Sequence, residues 1–181
     1  FALVLGAVAQ VEQAADFFEG HVQATAVADE CQPFHMRLRV QTVIALTARR
    51  LWQQPFTLLL TQCEGTSVVH ETVYEDRFGY TRELVKLGAN ITIFDKCLGE
   101  LPCRFRGKNH PHSAIIQGPT KLTAIPDILD IFDIRAGITL VIAALCAEGT
   151  STLKGLEHLD RGYENLLGKL EGLGIKAERV E

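Results

Sequence analysis

Residues 136–151, AGITLVIAALCAEGTS, decide the fold, because they join an unbroken apolar run to a tetrapeptide that also occurs earlier in the chain. EGTS starts at 64 and again at 148, a shift of 84 residues. The pair Asp76-Arg77 recurs as Asp160-Arg161, also 84 residues later. Two matches at one offset predict a duplicated structural unit.

Both copies predict the same order of elements. An apolar run precedes EGTS, a β-prone run follows it, and the Asp-Arg pair then leads into an amphipathic segment that ends at Leu-Gly. The run at 136–147 is apolar on every side, too long for a strand and stopped by Gly149, so it predicts a fully buried helix. Short strands are predicted at 91–94, 113–117 and 151–155.

The segment after the second Asp-Arg pair is predicted to be a helix. Leu166, Leu170 and Leu173 recur at helical spacing, Asp160 stands where an N-cap belongs, and Gly174 follows as the stop. The earlier copy has the same pattern, with Leu84, Leu87 and Gly88. Very apolar helices beside half-polar strands favour an α/β fold with helices packed inside a shell of sheet.

Residues 1–50 carry neither copy's signature and are left unassigned, whereas 51–181 are interpreted as two repeat units. A helix is allowed through Val8, Val11, Ala15 and Phe18. A strand is allowed through Leu38, Val40, Ile44 and Leu46.

The composition indicates which kinds of partner and which cellular compartment to expect. The chain has 181 residues, 18 Lys and Arg against 22 Asp and Glu, and a formal charge of −4, which argues against a nucleic-acid partner. The apolar start FALVLGAVAQ has no basic leader and is too short to cross a bilayer. Cys97 and Cys103 lack the neighbouring ligands of a sequence-local zinc site, so the five cysteines are interpreted as reduced thiols of a cytoplasmic protein.

Three arginines are candidate anion ligands. Arg77 and Arg161 each follow an aspartate just ahead of a predicted helix, and Asp133-Ile134-Arg135 precedes the apolar helix. In isolation, each aspartate is a helix cap and each arginine a local ion-pair partner. Three arginines at strand-to-helix corners favour an anion clamp instead, more strongly for Arg135 and Arg161 than for Arg77.

The histidines can likewise be interpreted either as functional or as structural residues. Asn109, His110 and His112 resemble a metal or acid–base cluster, but flanking Gly107 and Pro111 favour a solvated turn. His70 and His158 are interpreted as structural residues in strands or loops. No metal site is predicted.

The motifs EGTSVVHETVYEDRF, HSAIIQGPTKL, DIRAGITLVIAALCAEGTS and HLDRGYENLLGKLEGLGIKAERV resemble the carboxy-terminal part of the enolpyruvyl transferases that act on UDP-N-acetylglucosamine. The resemblance covers about residues 51–181. It implies repeated βαβαββ units in an inside-out α/β barrel, with helices buried and sheets outside. The sister enzyme, 5-enolpyruvylshikimate-3-phosphate synthase, is not expected to carry the DRGYE and EDRF versions of these motifs and is kept as an alternative.

The resemblance also implies a reaction. The enolpyruvyl group of phosphoenolpyruvate passes to the 3-hydroxyl of UDP-N-acetylglucosamine through a tetrahedral adduct that expels phosphate, without a metal or organic cofactor. By the same resemblance Arg135 and Arg161 face phosphoenolpyruvate, and Asp133, from the same motif as Arg135, orients its neighbours. Arg77 lies near the site, and Val73 lines the nucleotide sugar.

The sequence departs from that family at one important position. The family's Pro-Thr-Asp, whose aspartate is the proposed base, would align with Arg50 or Leu51, and neither can accept a hydroxyl proton. A second domain with its mobile loop is also missing from these residues. Three interpretations stay open: part of an enolpyruvyl transferase, a non-catalytic remnant that still binds substrate, or a repeat-built interaction module.

Overall fold

The computed structural model describes residues 53–98 and 103–179, together with the backbone of three short strands before them. The helix predicted through Val8, Val11, Ala15 and Phe18 lies outside the described residues, as does the slot at Arg50 or Leu51.

The described residues form both strands and helices. The strands are β1 (Gln23–Ala24), β2 (Leu38–Arg39), β3 (Thr42–Ala45), β4 (Gly65–His70), β5 (Asn90–Phe94), β6 (Ser113–Gly118), β7 (Ile128–Asp130) and β8 (Thr152–Lys154). The helices are α1 (Gln53–Thr61), α2 (Thr81–Lys86), α3 (Ile134–Cys146), α4 (Glu157–Asp160) and α5 (Leu166–Gly172), with a 3-10 turn at Arg77–Tyr80 before α2. The α/β class is thus observed.

The largest sheet among the described strands has four strands in the order β3-β4-β6-β5. β3 runs parallel to β4, whereas β6 is antiparallel to both β4 and β5. β7 and β8 form a separate parallel pair, and β1 and β2 an antiparallel one. The strands predicted at 91–94, 113–117 and 151–155 are confirmed, and the one allowed through Leu38 to Leu46 is two strands in different sheets.

Helices and strands both contribute side chains to the hydrophobic core. α1 packs against β6 and α3, with Leu58 and Leu60 almost fully buried. From the sheet, Val69 and Ile116 face the same core with no exposed surface. Most of the other residues of β5, β7 and β8 are only partly buried or exposed.

The apolar helix is less buried than its sequence predicts. It begins two residues earlier than expected, at Ile134, and its centre at Leu140 is fully buried. Leu145, however, is 45% exposed and Cys146 is exposed as well, so the prediction of burial on every side is wrong for the last turn. No helix in the described part of the chain is both long and apolar enough to cross a membrane.

The helix ends test the predicted capping residues. Gly88 and Gly174 adopt positive φ angles of 104° and 78° just after α2 and α5, which confirms them as stops. Asp160 is not an N-cap, because it is the last residue of α4, and the cap of α5 is Asn165, whose side chain accepts from the amide of Gly168 at 3.2 Å. A separate helical turn at 157–160, not anticipated from the sequence, displaces the start of α5.

Candidate functional site

A cleft of about 380 Å³ lies between the 3-10 turn, α2 and the start of α3. The 3-10 turn and α2 contribute Arg77 and Arg82, and the α3 side contributes Phe132 and Asp133. The other residues that line it are Gln54, Asp76, Gly79, Tyr80, Glu83 and Ala136. Two residues predicted from the sequence, Arg77 and Asp133, therefore meet in one cleft.

Asp133 caps α3 and thereby places Arg135. One carboxylate oxygen of Asp133 accepts hydrogen bonds from the amides of Arg135 and Ala136, at 2.8 and 3.0 Å. This capping satisfies two of the donors that the first turn of a helix leaves unpaired. Arg135 then projects from the first turn of a 13-residue helix and is exposed. The predicted strand-to-helix corner is observed here, and Asp133 also has the capping role that the sequence offered as the alternative.

Arg161 occupies a different setting from the predicted one. It follows α4 and precedes α5, so it lies between two short helices and not at a strand-to-helix corner. The neighbouring Asp160 is bound by Arg179, whose Nη2 lies 2.8 Å from Oδ1 and 2.6 Å from Oδ2.

The chain neighbours of Arg135 and Arg161 are in contact. A Cβ atom added at Gly162 would clash with the end of the Ile134 side chain, so the loop after α4 passes directly over the first turn of α3. Neither guanidinium forms an ion pair with any carboxylate among residues 53–98 and 103–179. Neither arginine is among the residues that line the cleft.

Glu71 organises the segment that leads from β4 to Arg77. Its side chain is buried and accepts hydrogen bonds from the amides of Val73 at 2.7 Å and Tyr74 at 3.1 Å. Its second oxygen lies 3.6 Å from Nη1 of Arg77, which also stacks over the Tyr74 ring at 4.8 Å. Arg77 is thus held by its own loop at the edge of the cleft, and half-buried Val73 lies in the same loop.

The interior of the cleft is partly polar. Gln54, on α1, is buried, and its Oε1 has no hydrogen-bond partner among the described residues. Burial raises the pKa of the Tyr80 phenol well above its usual range, so this hydroxyl stays protonated. At the rim, the Phe132 ring is 63% exposed. Sequence patterns missed Gln54, Arg82 and Phe132, because none of them stands in a motif.

A second group of polar side chains gathers around the end of β4. One ligand atom from each of His70, Cys97, Cys103 and His112 lies within 4.8 Å of the other three. Burial and, after it, the charge of His112 lower the pKa of His70, partly offset by Glu71, so His70 is neutral at pH 7. Burial and then the Cys103 thiol raise the pKa of Cys97.

These positions correct two interpretations of the sequence. Cys97 and Cys103 do have histidine neighbours, which come from distant parts of the chain and not from a local motif. The GKNHPHS segment forms the expected turn up to Asn109, but His112 is fully buried and is not part of a solvated turn. His158 lies in α4, not in a strand or loop.

Comparison with known proteins then assigns the family. Residues 4–170 match the family model described as EPSP synthase (3-phosphoshikimate 1-carboxyvinyltransferase). The chain belongs to the EPSP synthase family. The resemblance to enolpyruvyl transferases is therefore confirmed, and the matched range also includes most of the segment left unassigned from the sequence.

Comparison with individual relatives is more specific than the match to the family model. The chain is 55% identical over 130 residues to UDP-N-acetylglucosamine 1-carboxyvinyltransferase of Protochlamydia amoebophila, which covers 72% of this chain and 28% of the relative. It is 55% identical over 126 residues to the enzyme of the same name from Chlamydia trachomatis serovar D, covering 69% and 28%. The chain thus spans just over a quarter of the length of these relatives.

Solved structures agree with the family. The enolpyruvyl transferase NikO from Streptomyces tendae superimposes on 95% of this chain and 36% of its own, with a TM-score of 0.66 and 27% identity. The EPSP synthase from Acinetobacter baumannii covers 72% of this chain and 30% of its own, at a TM-score of 0.50 and 19% identity, and so speaks for the fold alone.

Proposed function

We propose that the protein represented by this chain transfers the enolpyruvyl group of phosphoenolpyruvate to the 3-hydroxyl of UDP-N-acetylglucosamine, with release of phosphate, in peptidoglycan synthesis. The observation that carries the proposal is 55% identity to two enzymes named UDP-N-acetylglucosamine 1-carboxyvinyltransferase. The proposed location is the cytoplasm, as expected for reduced thiols.

The reaction proceeds by addition and elimination. Protonation of C3 of phosphoenolpyruvate accompanies attack of the sugar oxygen on C2, which gives a tetrahedral adduct. Loss of the phosphate from C2 and of a proton from C3 restores the double bond on the product. Negative charge shifts between carboxylate and phosphate along this path, so fixed guanidinium groups would stabilise it. No cofactor enters these steps.

Arg135 and Arg161 are the residues proposed to bind phosphoenolpyruvate. Two observations support this assignment: residues adjacent to each arginine touch, and neither guanidinium is paired with a carboxylate in the described part of the chain. Asp133 would hold the first turn of α3 in place for Arg135. Val73 would lie toward the nucleotide sugar and Arg77 near the site, on the loop that Glu71 organises.

The fold proposal goes further than the α/β class. Two parallel strand–helix–strand units, β3-α1-β4 and β7-α3-β8, follow one another, and helix α3 is more buried than strands β7 and β8. This order supports repeated βαβαββ units with helices inside, and we assign residues 51–181 to two such units. A second domain, carrying the other half of the substrate cleft, would complete the enzyme.

These 181 residues alone are expected to bind phosphoenolpyruvate weakly and not to turn it over. Two arginines supply charge-assisted contacts worth roughly 1.5–3 kcal/mol each, which corresponds to dissociation constants on the order of millimolar. Neither residue at the slot of the family base, Arg50 or Leu51, can serve as that base. The non-catalytic interpretation therefore applies to the chain by itself.

Titration followed by NMR of the 15N-labelled chain tests the proposal. Phosphoenolpyruvate should shift the amides around Arg135 and Arg161, sulfate at equal ionic strength should do so less, and UDP-N-acetylglucosamine should shift residues 71–77. Shikimate 3-phosphate in place of the nucleotide sugar tests the sister activity. A response to shikimate 3-phosphate and none to UDP-N-acetylglucosamine would replace the proposed substrate, and no response to any of them would favour the interaction module.

A further inference from the structure

Four side chains with metal-binding atoms converge where three strands of the main sheet end. His70 is the last residue of β4, and His112 immediately precedes β6. Cys97 and Cys103 lie in the connection that follows β5. The Sγ atom of Cys97 is 3.3 Å from Sγ of Cys103 and 3.3 Å from Nε2 of His112.

The His112 ring is fixed in the orientation of a metal ligand. Its Nδ1 donates to the backbone carbonyl of His110 at 2.7 Å, and a carbonyl can only accept. When the ring carries one proton, that proton is therefore on Nδ1, and the lone pair is on Nε2, which lies 3.3 Å from Sγ of Cys97. Metal-bound histidines commonly donate their other ring nitrogen to a carbonyl in this way. The backbone is fixed too, since the His112 amide donates to Phe94 at 3.0 Å.

His70 supplies an independent observation. The residue is only 3% exposed, and its Nε2 has no hydrogen-bond partner among the described residues. Its other ring nitrogen lies 3.4 Å from the hydroxyl of Ser113. A buried polar nitrogen without a partner is costly, so its presence beside two thiols and a second imidazole calls for a ligand.

We propose that His70, Cys97, Cys103 and His112 bind one zinc ion. Thiolate together with imidazole is the ligand set that Zn²⁺ prefers, and two of each make a closed tetrahedral site. Zinc–ligand bonds of about 2.0–2.3 Å place tetrahedral ligands roughly 3.3–3.8 Å apart. The observed separations of 3.3 Å, and none above 4.8 Å, need only small shifts of side chains.

The role of this ion is structural, because four protein ligands leave no position for a substrate. The connection between β5 and β6 runs from 95 to 112, which is long for a loop, and its described part contains no helix or strand. Phe105, fully buried against the His112 ring, is its main apolar anchor. Zinc would tie both ends of this connection to the end of β4.

The zinc site also borders the loop that carries Arg77. The amide of Glu71 donates to the carbonyl of His112 at 2.8 Å, and Glu71 in turn faces Arg77. Loss of the ion is therefore expected to loosen residues 71–77 as well as 95–112.

Metal analysis of the full chain, purified under reducing conditions in zinc-supplemented medium, tests the proposal. We expect elemental mass spectrometry to find one zinc ion per chain. Replacement by Co²⁺ should give the thiolate charge-transfer band and the intense visible bands of a tetrahedral site. Cys97→Ser and His112→Asn should each bind at least tenfold more weakly, whereas Cys146→Ser and His110→Asn, which alter residues outside the cluster, should match the parent chain.

The cobalt spectrum of the unaltered chain decides the outcome even if a variant fails to fold. A six-coordinate cobalt spectrum without thiolate bands would overturn the proposal. So would a Cys97–Cys103 disulfide in chain kept under reducing conditions, or equal metal content in Cys97→Ser and Cys146→Ser. Thermal unfolding gives a further readout: chelator should lower the Tm of the parent chain by several degrees and leave that of Cys97→Ser unchanged.

Discussion

The Asp133 carboxylate accepts a hydrogen bond from the backbone amide of Arg135 at 2.8 Å. A single residue therefore caps α3 and also positions Arg135, which is proposed to bind phosphoenolpyruvate. The same oxygen binds the amide of Ala136 at 3.0 Å. Capping and ligand placement are thereby coupled at this corner of the fold. A substitution that keeps the acceptor oxygen and removes the charge separates the contribution of the hydrogen bonds from that of the charge.

Asp133→Ala should lower the free energy of unfolding by about 1 kcal/mol, because two amides of α3 lose their acceptor. Asp133→Asn should change it by only a few tenths of a kcal/mol, since the amide oxygen still accepts. Urea unfolding followed by circular dichroism measures both. Equal destabilisation by the two variants would show that the charge, and not the hydrogen bond, stabilises this helix end.

Two helical glycines form a matched pair. A Cβ at Gly137 would lie 2.7 Å from Cγ2 of Ile131 and 2.9 Å from Cδ2 of Leu159, so Gly137→Ala overfills the contact between α3 and α4. We expect it to cost about 1–3 kcal/mol of stability. A Cβ at Gly172 meets nothing within 4 Å, so Gly172→Ala should stabilise by up to about 1 kcal/mol. Denaturation midpoints that move in the same direction would contradict the packing described here.

Two ion pairs of different burial give the next comparison. The side chains of Glu71 and Arg77 are 5% and 8% exposed, whereas those of Glu75 and Arg104 are 49% and 55% exposed. Glu71→Gln should cost about 3 kcal/mol, because it removes a buried carboxylate that faces the Arg77 guanidinium. Glu75→Gln should cost less than about 1 kcal/mol. Urea titrations at low and high salt measure both, and a salt-sensitive effect at Glu71 would contradict its burial.

Sequence reasoning was most accurate where the signal is local. Gly88 and Gly174 were predicted as helix stops from the Leu-Gly pairs, and the structure shows both. Strand alternation likewise located β5, β6 and β8. In each case the residues that determine the feature lie within a few positions of one another.

The errors arise where distant residues determine the outcome. Asp160 and Asn165 are both good N-caps, and which one starts α5 depends on the extra turn at 157–160 that packs on α3. The cysteine and histidine cluster joins His70 to residues 27 or more positions later, so no spacing rule reveals it. The cleft likewise draws Gln54, Arg82 and Phe132 from three separate elements.

The arginine clamp yields the final prediction. Arg135→Lys and Arg161→Lys keep the positive charge but lose the planar fork that binds a carboxylate or phosphate through two parallel hydrogen bonds. Loss of one such contact, roughly 1.5–3 kcal/mol, should weaken phosphoenolpyruvate binding by the chain at least tenfold. Amide shifts in an NMR titration measure the dissociation constant of each variant.

Arg106→Lys is the matched control, because Arg106 is exposed in the turn before β6 and belongs to neither helix of the proposed site. It should bind phosphoenolpyruvate as the parent chain does. In a clamp, the two arginines act on the same ligand. The double lysine variant should therefore lose less binding free energy than the sum of the losses in the two single variants, because either single substitution already nearly abolishes binding. Unchanged affinity in both single variants, with the fold intact by circular dichroism, would remove Arg135 and Arg161 from the substrate site.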